Sequence, residues 1–391
     1  MSFLTAAASP AVELFAIDVP AKTLDGLRDR LRHTRWPDHI PKSGWTYGID
    51  TPYFESLVDY WASQYDWRRE ERALNALPQY RTRIDGIDLH FIHARGSGPG
   101  AVPLIMLHGW PGSFVQFRSI VPLLTDPDAH GAQGAQSFDV VVPSLPGFGF
   151  SEKPAQPGFA TRAIAERLFG LMAALGYERF GVRGSDIGGS VAQQMALAEP
   201  TRLIGLHVSG LLRGVPLLTP GLPPTPEERR FLHDLEVWTR TRMGYASVQA
   251  EDPQTLAVGL NDSPAGLAAW IIEKFRLWGD TRVPLERRFS RDDLLTNVMI
   301  YWVTQTIGSS VRLYHEFGRE KRLQGRVEVP TAVLMAAHDM VPVPRSVSER
   351  IYNVVRWHET PVGGHFLECS EPELLARDLR AFFSTRTAPG A

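Results

Sequence analysis

The chain has few features of a secreted or membrane protein. Its one cysteine in 391 residues, Cys369, excludes an internal disulfide. No run of about 18 uninterrupted apolar residues occurs, so the sequence predicts no membrane-spanning helix. The first twenty residues lack both a basic start and a long apolar stretch, which argues against a signal peptide and a membrane anchor. We therefore expect a cytoplasmic location.

The chain also lacks an excess of charge of either sign. Its 41 Lys and Arg residues nearly balance 43 Asp and Glu residues, and the net charge of -2 provides no field that would attract nucleic acid. Neither a zinc-type Cys/His cluster nor a nucleotide-binding glycine loop is present, so we expect no metal and no organic cofactor. The 43% of hydrophobic residues excludes disorder and is enough to bury a large core.

No internal repeat is present, but the pattern of helix-type and strand-type apolar runs changes near residues 85, 213 and 322. The changes predict a core in two parts that is interrupted by a helical insertion and preceded by an N-terminal extension. The predicted segments are an extension over 1–84, a first core part over 85–212, a helical cap over 213–321 and a second core part over 322–391.

The N-terminal extension is rich in helix signals. Leu24, Leu27 and Leu31 recur at helical spacing, and a second helix is predicted over 53–65. The extension also has many large aromatic residues, and exposing all of them to water would be unfavourable. We therefore expect it to pack on the core and the cap. These aromatic residues are Trp36, Trp45, Tyr47, Trp61 and Trp67.

The two core segments alternate short apolar β-type runs with helical ones. This alternation predicts an α/β fold with a mostly parallel sheet that helices cover on both faces. The predicted strands are 102–107, 138–142, 180–183, 203–208, 331–336 and 354–359. The cap opens with the proline-rich TPGLPPTPEE (219–228), and the predicted helices include 267–278, 292–317 and, near the C-terminus, 372–383.

The sequence FGVRGSDIGGS (180–190) predicts a strand, a sharp turn and a helix, with Asp186 at the centre of the turn. This is the pattern of a nucleophile elbow, in which small residues such as Gly184 and Gly188 make room for a strained backbone. An Asp needs no prior deprotonation to act as a nucleophile, and the helix N-terminus favours its anionic form. Taken alone, Asp186 could instead cap the helix, and Ser185 is a rival nucleophile one position off centre.

The sequence HGWPGS (108–113) follows the first predicted core strand. Hydrolases of this architecture keep the loop that completes the oxyanion hole at this place. We expect the backbone N–H groups of Trp110 and Ile187 to converge on one oxygen, and each such donor typically contributes about 3 to 4 kcal/mol to catalysis. His108 is better explained as a buried turn residue than as a proton-transfer group.

A late histidine, His365, lies in the Gly-rich sequence GGHF after the last predicted strand. Upstream, the strand over 331–336 runs into Asp339, so the nucleophile, acid and base follow the chain order of the α/β hydrolases. Each residue alone could be an ordinary loop residue, but their order at strand ends is far more specific. Rival acids are Glu368 and Glu371, and rival bases are His338 and His358.

Together these motifs resemble the epoxide hydrolases of the α/β-hydrolase fold, in the microsomal and juvenile-hormone branch with an N-terminal extension. The resemblance covers nearly the whole chain. It rests on TRWP, DWR, HGWPGS, the elbow Asp, GLNDSPAGLAAWIIEKFRLW, DDLLTNVMIYW and GGHFLECSEPELLARDL. By this resemblance, the two cap tyrosines of the family fall on Tyr245 and Tyr314, each of which alone would be interpreted as a core residue.

The resemblance implies an enzyme that converts a small apolar epoxide and water to a vicinal diol without a cofactor. Asp186 would attack a ring carbon and form an ester. Tyr245 and Tyr314 would donate hydrogen bonds to the epoxide oxygen. His365, oriented by Asp339, would activate the water that hydrolyses the ester.

The chain departs from the family at three points. Ile187 stands where many relatives have Trp, which changes the pocket floor and keeps the backbone N–H. Asp339 stands where some relatives have Glu. The apolar N-terminal span of the membrane-anchored members is absent. The resemblance further implies that Trp110 contacts the substrate and that neither nucleic acid nor a membrane anchor is involved, and it leaves a homodimer possible.

Three other functions share parts of this pattern. A haloalkane dehalogenase also uses an Asp nucleophile, but it generally needs an indole N–H beside that residue, and Ile187 has none. A ligand-binding protein could keep the pocket without turnover, although every catalytic position is filled here. A carboxylesterase would have Ser in place of Asp at the centre of the elbow.

Overall fold

A nine-stranded sheet runs through the computed structural model, which describes residues 10–98, 100–210 and 223–386. The strands are β1 (Val12–Phe15), β2 (Gln79–Ile84), β3 (Ile87–Ala94), β4 (Val102–Leu107), β5 (Phe138–Pro143), β6 (Phe180–Ser185), β7 (Leu203–Ser209), β8 (Val327–Ala336) and β9 (Tyr352–Thr360). Their order across the sheet is β1-β2-β3-β5-β4-β6-β7-β8-β9. The strands from β5 to β9 in this order pair in parallel, whereas β1, β2 and β3 pair antiparallel at one side.

Helices cover both faces of this sheet, and those that lie between β7 and β8 in the chain are called the cap below. Those in the described residues are α1 (Ala21–Arg32), α2 (Thr51–Ser63), α3 (Trp67–Asn75), α4 (Ile120–Thr125), α5 (Thr161–Ala174), α6 (Asp186–Ala198), α7 (Pro226–Arg242), α8 (Gly244–Glu251), α9 (Pro253–Asp262), α10 (Pro264–Trp278), α11 (Arg291–Thr304), α12 (Ile307–Phe317), α13 (Arg345–Ile351), α14 (Leu367–Ser370) and α15 (Pro372–Phe383). Strands β5 and β6 are buried along their whole length, as expected for a sheet covered on both faces.

The predicted α/β fold with a mostly parallel sheet is confirmed. The strands predicted over 102–107, 138–142, 180–183 and 203–208 are β4 to β7, and those over 331–336 and 354–359 lie within the longer β8 and β9. Apolar runs made β4 to β8 recognisable, because these strands are largely buried on both faces, whereas β9 is an edge strand that is only partly buried. The segment boundaries at 84 and 321 stay predictions, and the boundary at 212, the first four residues of TPGLPPTPEE and both chain ends lie outside the described residues.

The N-terminal extension contributes strands as well as helices, which the sequence did not indicate. Strand β1 is a four-residue edge strand whose Leu14 is 83% exposed, and the burial of β2 largely alternates between its two faces. Neither strand has the continuous apolar run that marks a strand buried on both faces, because β1 is largely exposed and one face of β2 is only partly buried. The extension therefore belongs to the same sheet as the core.

The prediction of one helix over 292–317 was wrong. The structure divides it into α11 and α12, because Gln305 adopts a left-handed conformation with φ of 53°. The backbone N–H groups of Gln305 and Thr306 donate to carbonyl oxygens in the last turn of α11, those of Trp302 and Tyr301 respectively. This is a helix C-terminal cap formed by a residue other than glycine.

Packing of the extension follows the predicted periodicity. Leu24, Leu27 and Leu31 are buried on one face of α1. Trp61 and Trp67 are also buried, whereas Trp36 and Tyr47 are exposed, so only part of the aromatic content of the extension packs inside.

Contacts between the extension and the cap are polar and span long stretches of sequence. The Tyr60 hydroxyl donates to Asp292 at 2.8 Å, the Tyr65 hydroxyl is 2.9 Å from that of Thr296, and Arg30 pairs with Asp262 at 2.8 Å. These bonds connect α1 and α2, and the turn after α2, to α9 and α11. In the part of the chain that the structure describes, no helix is both long and apolar enough to cross a bilayer.

Burial of Trp61 is expected to stabilise the fold. Trp61 is 3% exposed, so Trp61→Ala should lower the free energy of unfolding by about 3 to 5 kcal/mol through lost burial and a residual cavity. Tyr47→Ala, at a site that is 75% exposed, should change it by less than about 0.5 kcal/mol. Urea unfolding of both variants measures this difference, and equal effects would contradict the described packing of the extension.

Candidate active site

Asp186 lies in a strained turn between β6 and α6. Its φ is 52°, a left-handed conformation that non-glycine residues rarely adopt. A Cβ atom on Gly184 would overlap the carbonyl of Gly188, and one on Gly188 would overlap that of Leu107. The two glycines therefore allow the helix to start directly against the strands. Asp186 itself is not the N-cap of α6, since that position belongs to Ser185.

One oxygen of Asp186 is bound by the loop over 108–113, which is called the oxyanion loop below. The backbone N–H of Trp110 donates to Asp186 Oδ1 at 2.9 Å, and the N–H of Ile187 also bonds this carboxylate. The loop approaches so closely that a Cβ on Gly109 would overlap the carboxylate. The two predicted backbone donors therefore meet at the side chain of Asp186.

The other oxygen of Asp186 faces His365. His365 Nε2 is 3.4 Å from Asp186 Oδ2, and its Nδ1 is 3.0 Å from Asp339 Oδ1. The same Asp339 oxygen accepts the backbone N–H of Met340 at 2.7 Å. Asp339 and His365 lie 153 and 179 positions after Asp186 in the sequence, yet the three loops meet where the C-terminal ends of β6, β8 and β9 lie.

Charge pairing governs protonation at this site. Burial alone would lower the pKa of His365, but the charge of Asp339 and the hydrogen bonds to Asp186 and Asp339 outweigh burial and raise the pKa to about 10. Burial alone would raise the pKa of Asp186, but its interactions with His365 and with the two backbone N–H groups hold the pKa below its ordinary value. The site therefore favours an imidazolium between two carboxylates.

The rival acids are occupied elsewhere. Glu368 Oε1 accepts hydrogen bonds from Arg183 at 2.7 Å and from the rival nucleophile Ser185 at 3.1 Å. Glu371 forms an ion pair with Arg288. Of the three acids considered from the sequence, Asp339 is thus the one that the structure brings to His365.

His108 and His358, two other histidines considered from the sequence, have different surroundings. His108 is buried, its Nε2 accepts the backbone N–H of Leu145 at 3.1 Å, and burial lowers its pKa to about 4. It is therefore a neutral, hydrogen-bonded turn residue at neutral pH. His358 on β9 has its Nδ1 2.7 Å from Asp378 Oδ1 on α15.

The two cap tyrosines lie against the oxyanion loop. The ring of Tyr245 on α8 stacks on that of Trp110, with centroids 5.5 Å apart and planes inclined by 10°. The ring of Tyr314 on α12 meets Trp110 edge-on at 5.8 Å, and the two tyrosine rings are 6.0 Å apart. Both tyrosine rings therefore contact the residue whose backbone N–H bonds Asp186.

Sequence reasoning missed the cap residues that hold the oxyanion loop. Asn297 on α11 donates to the Pro111 carbonyl and accepts from the Ser113 hydroxyl, both at 2.8 Å. The Tyr301 hydroxyl donates to the Gly112 carbonyl at 2.7 Å. Both residues lie in DDLLTNVMIYW, and the signal that could have identified them is a pair of polar groups, four positions apart, among the buried residues of the helix.

Trp278 and Arg183 were also missed. The backbone N–H of His365 donates to the Trp278 carbonyl at 2.9 Å, and the two rings meet edge-on at 5.5 Å. Arg183 is fully buried in β6, and its bond to Glu368 ties the elbow strand to the helix that follows His365. A lone arginine in an apolar strand was the available signal.

Two family models match the chain. The model for the epoxide hydrolase N terminus matches residues 12–117, and that for the alpha/beta hydrolase fold matches residues 102–367. The first model covers the extension together with β4 and the oxyanion loop. The second includes the elbow, the cap and the histidine loop.

Individual relatives match over almost the whole chain. A putative epoxide hydrolase of Stigmatella aurantiaca is 40% identical over 94% of this chain and 84% of its own length, and epoxide hydrolase 1 of Sus scrofa is 36% identical over 96% and 89%. The crystal structure of juvenile hormone epoxide hydrolase from the silkworm Bombyx mori superposes with a TM-score of 0.83, at 30% identity over 96% of this chain and 94% of that one. This chain therefore belongs to the epoxide hydrolases of the α/β-hydrolase fold.

Proposed function

We propose that this chain hydrolyses a small apolar epoxide to a vicinal diol through an ester on Asp186. The observation that carries the proposal is the environment of that carboxylate. The backbone N–H of Trp110 binds one oxygen, and the other oxygen faces His365 at 3.4 Å. Such a carboxylate is ionised and oriented, and it lies next to the histidine that can act in a second step.

Ring opening needs a nucleophile and a proton donor on opposite sides of the substrate. Asp186 Oδ2 forms a bond to one ring carbon while the bond from that carbon to the epoxide oxygen breaks. The departing oxygen is strongly basic and takes a proton from Tyr245 or Tyr314, whose rings lie 6.0 Å apart beside Trp110. The product of this step is an ester with a free hydroxyl on the neighbouring carbon.

Ester hydrolysis depends on a change in charge at Asp186. Its negative charge and its hydrogen bond contribute to the raised pKa of His365. Both contributions weaken once Asp186 is an ester, so the pKa of His365 falls and the imidazolium gives up its proton, which solvent returns to the tyrosinate left by ring opening. The neutral imidazole then takes one proton from water as the water oxygen attacks the ester carbonyl, and the N–H groups of Trp110 and Ile187 bind the resulting oxyanion. When this intermediate collapses, the bond to the diol oxygen breaks and that oxygen takes the remaining proton of the attacking water. The diol leaves, and the carboxylate and the imidazolium are restored.

An apolar substrate is favoured by the aromatic walls of the site, to which Trp110, Tyr245 and Tyr314 contribute. Trp110 would supply both a backbone donor and a contact surface.

Hydrolysis at Asp186 by this route requires no cofactor. A cytoplasmic location and a homodimer remain predictions from the sequence.

Trapping the ester tests the proposed function directly. His365→Ala mixed with styrene oxide should gain the mass of one epoxide, because the nucleophile is kept and the base that hydrolyses the ester is removed. Intact-protein mass spectrometry with peptide mapping should locate the adduct on Asp186. The double variant Asp186→Asn/His365→Ala is the matched control and should gain no mass. An unmodified His365→Ala protein, under conditions where wild type forms the diol, would contradict the proposal.

Asp339 is expected to serve the second step. Asp339→Asn removes the charge that orients His365, so the rate of ester hydrolysis should fall by roughly 10²- to 10⁴-fold. Glu371→Gln changes a rival acid that pairs with Arg288, and it should leave this rate within about threefold of wild type. Single-turnover kinetics separates ester hydrolysis from ring opening. A larger effect from Glu371→Gln would reassign the acid.

The close approach of Gly109 predicts a steric test of the oxyanion hole. Gly109→Ala places a Cβ into the Asp186 carboxylate, so the loop must move and the Trp110 N–H loses its alignment. The rate of diol formation should fall by roughly 10²- to 10³-fold, as for other lost oxyanion donors. Gly26→Ala on α1, where an added Cβ meets no atom within 4 Å, is the control and should keep full activity. Equal activity of the two variants would refute the assigned donor.

A further inference from the structure

A buried lysine lies against the ring of one of the two cap tyrosines. Lys274 on α10 is 6% exposed, and its Nζ is 5.2 Å from the ring centroid of Tyr245 and 4.9 Å from that of Trp270. A cation beside an aromatic face is attracted by the ring, and the attraction grows where water is excluded. The ammonium group therefore occupies an aromatic cage of which the candidate proton donor is one wall.

Two helices build this cage from residues one turn apart. Tyr245 and Gln249 are four positions apart on α8, and Trp270 and Lys274 are four positions apart on α10, so each pair shares a face of its helix. The Trp270 indole N–H donates to the buried side chain of Gln249 at 2.9 Å. This bond fixes the Trp270 wall of the cage relative to α8.

We propose that Lys274 promotes epoxide ring opening by acting through Tyr245. The inference rests on the proposed function of the site. As the phenol gives its proton to the departing epoxide oxygen, its own oxygen gains negative charge. The nearby ammonium stabilises that charge in a region of low dielectric constant. No proton leaves Lys274 in this step, so it is a positioning residue that sets the electrostatics of the donor.

The counter-ion of Lys274 provides an internal control. Glu273 forms an ion pair with Lys274, and its side chain is 20% exposed whereas that of Lys274 is 8% exposed. Its carboxylate partly compensates the charge that Tyr245 experiences. Removal of that carboxylate should leave the positive charge next to the ring in place.

The proposed role predicts an effect on one chemical step. In ring opening the new charge develops at the epoxide oxygen and at the phenol that protonates it. In ester hydrolysis it develops at the Asp186 carbonyl, which the Trp110 and Ile187 N–H groups bind. Lys274 should therefore influence the first step and spare the second.

The test is Lys274→Met, which keeps an unbranched side chain of similar length and removes the charge. Single-turnover stopped-flow fluorescence with rapid-quench mass spectrometry should show ring opening slowed roughly tenfold or more. Ester hydrolysis should stay within about threefold of wild type. Lys274→Arg should recover most of the ring-opening rate, and Glu273→Gln should not lower it. Equal slowing of both steps, or the same loss in Glu273→Gln, would overturn the proposal in favour of a structural ion pair.

Coupling between the two residues gives a second readout. In a Tyr245→Phe background, Lys274→Met should cause no further loss of ring-opening rate, because the group through which Lys274 acts is gone. In a Tyr314→Phe background it should cause its full loss. Additive losses in the Tyr245→Phe background would overturn the proposal.

Wild-type activity separates this inference from the proposed function. A wild type that forms neither ester nor diol would overturn the proposed function and this inference with it. An active wild type whose Lys274→Met variant opens the ring at the normal rate would overturn this inference alone.

Discussion

The hydrogen bond from the Trp110 N–H to Asp186 joins two loops that are 76 residues apart in the chain, and the rest of the site is arranged around it. It forms because β4 and β6 are parallel neighbours, so the loops after them leave the same edge of the sheet. The contact leaves no space for a side chain at Gly109 or Gly188. Asn297 on the cap helix α11 then holds the oxyanion loop by donating a hydrogen bond to the Pro111 carbonyl.

Around that contact, the structure buries charges in compensating pairs. An isolated buried charge would cost several kcal/mol, and pairing with good hydrogen bonds offsets this cost. His365 lies between Asp186 and Asp339, which accounts for its raised pKa. Beneath the elbow, Arg183 and Glu368 form a second pair with almost no exposure. The nucleophile and the histidine loop are thereby connected twice, once through the reacting groups and once through the core.

Much of the core was predictable from the sequence, because its inner strands β4 to β8 are largely buried on both faces and form apolar runs. The elbow, the oxyanion loop and the late histidine were recognisable because each depends on local spacing. The strands of the extension were not, since β1 is short and exposed and gains its partner from residues 79–84. The break at Gln305 was hidden because a non-glycine residue adopts the left-handed conformation there.

Contacts that join distant segments were also beyond local patterns. Lys274 and Tyr245 meet because two cap helices face each other, and neither residue marks that pairing in its own segment.

The proposed mechanism depends on the Asp186 carboxylate becoming an ester during turnover. The most direct measurement is a single turnover in water enriched in ¹⁸O, followed by mass spectrometry of the peptide containing Asp186. The account predicts one ¹⁸O atom in that side chain, whereas heavy oxygen in the diol and none in Asp186 would contradict it.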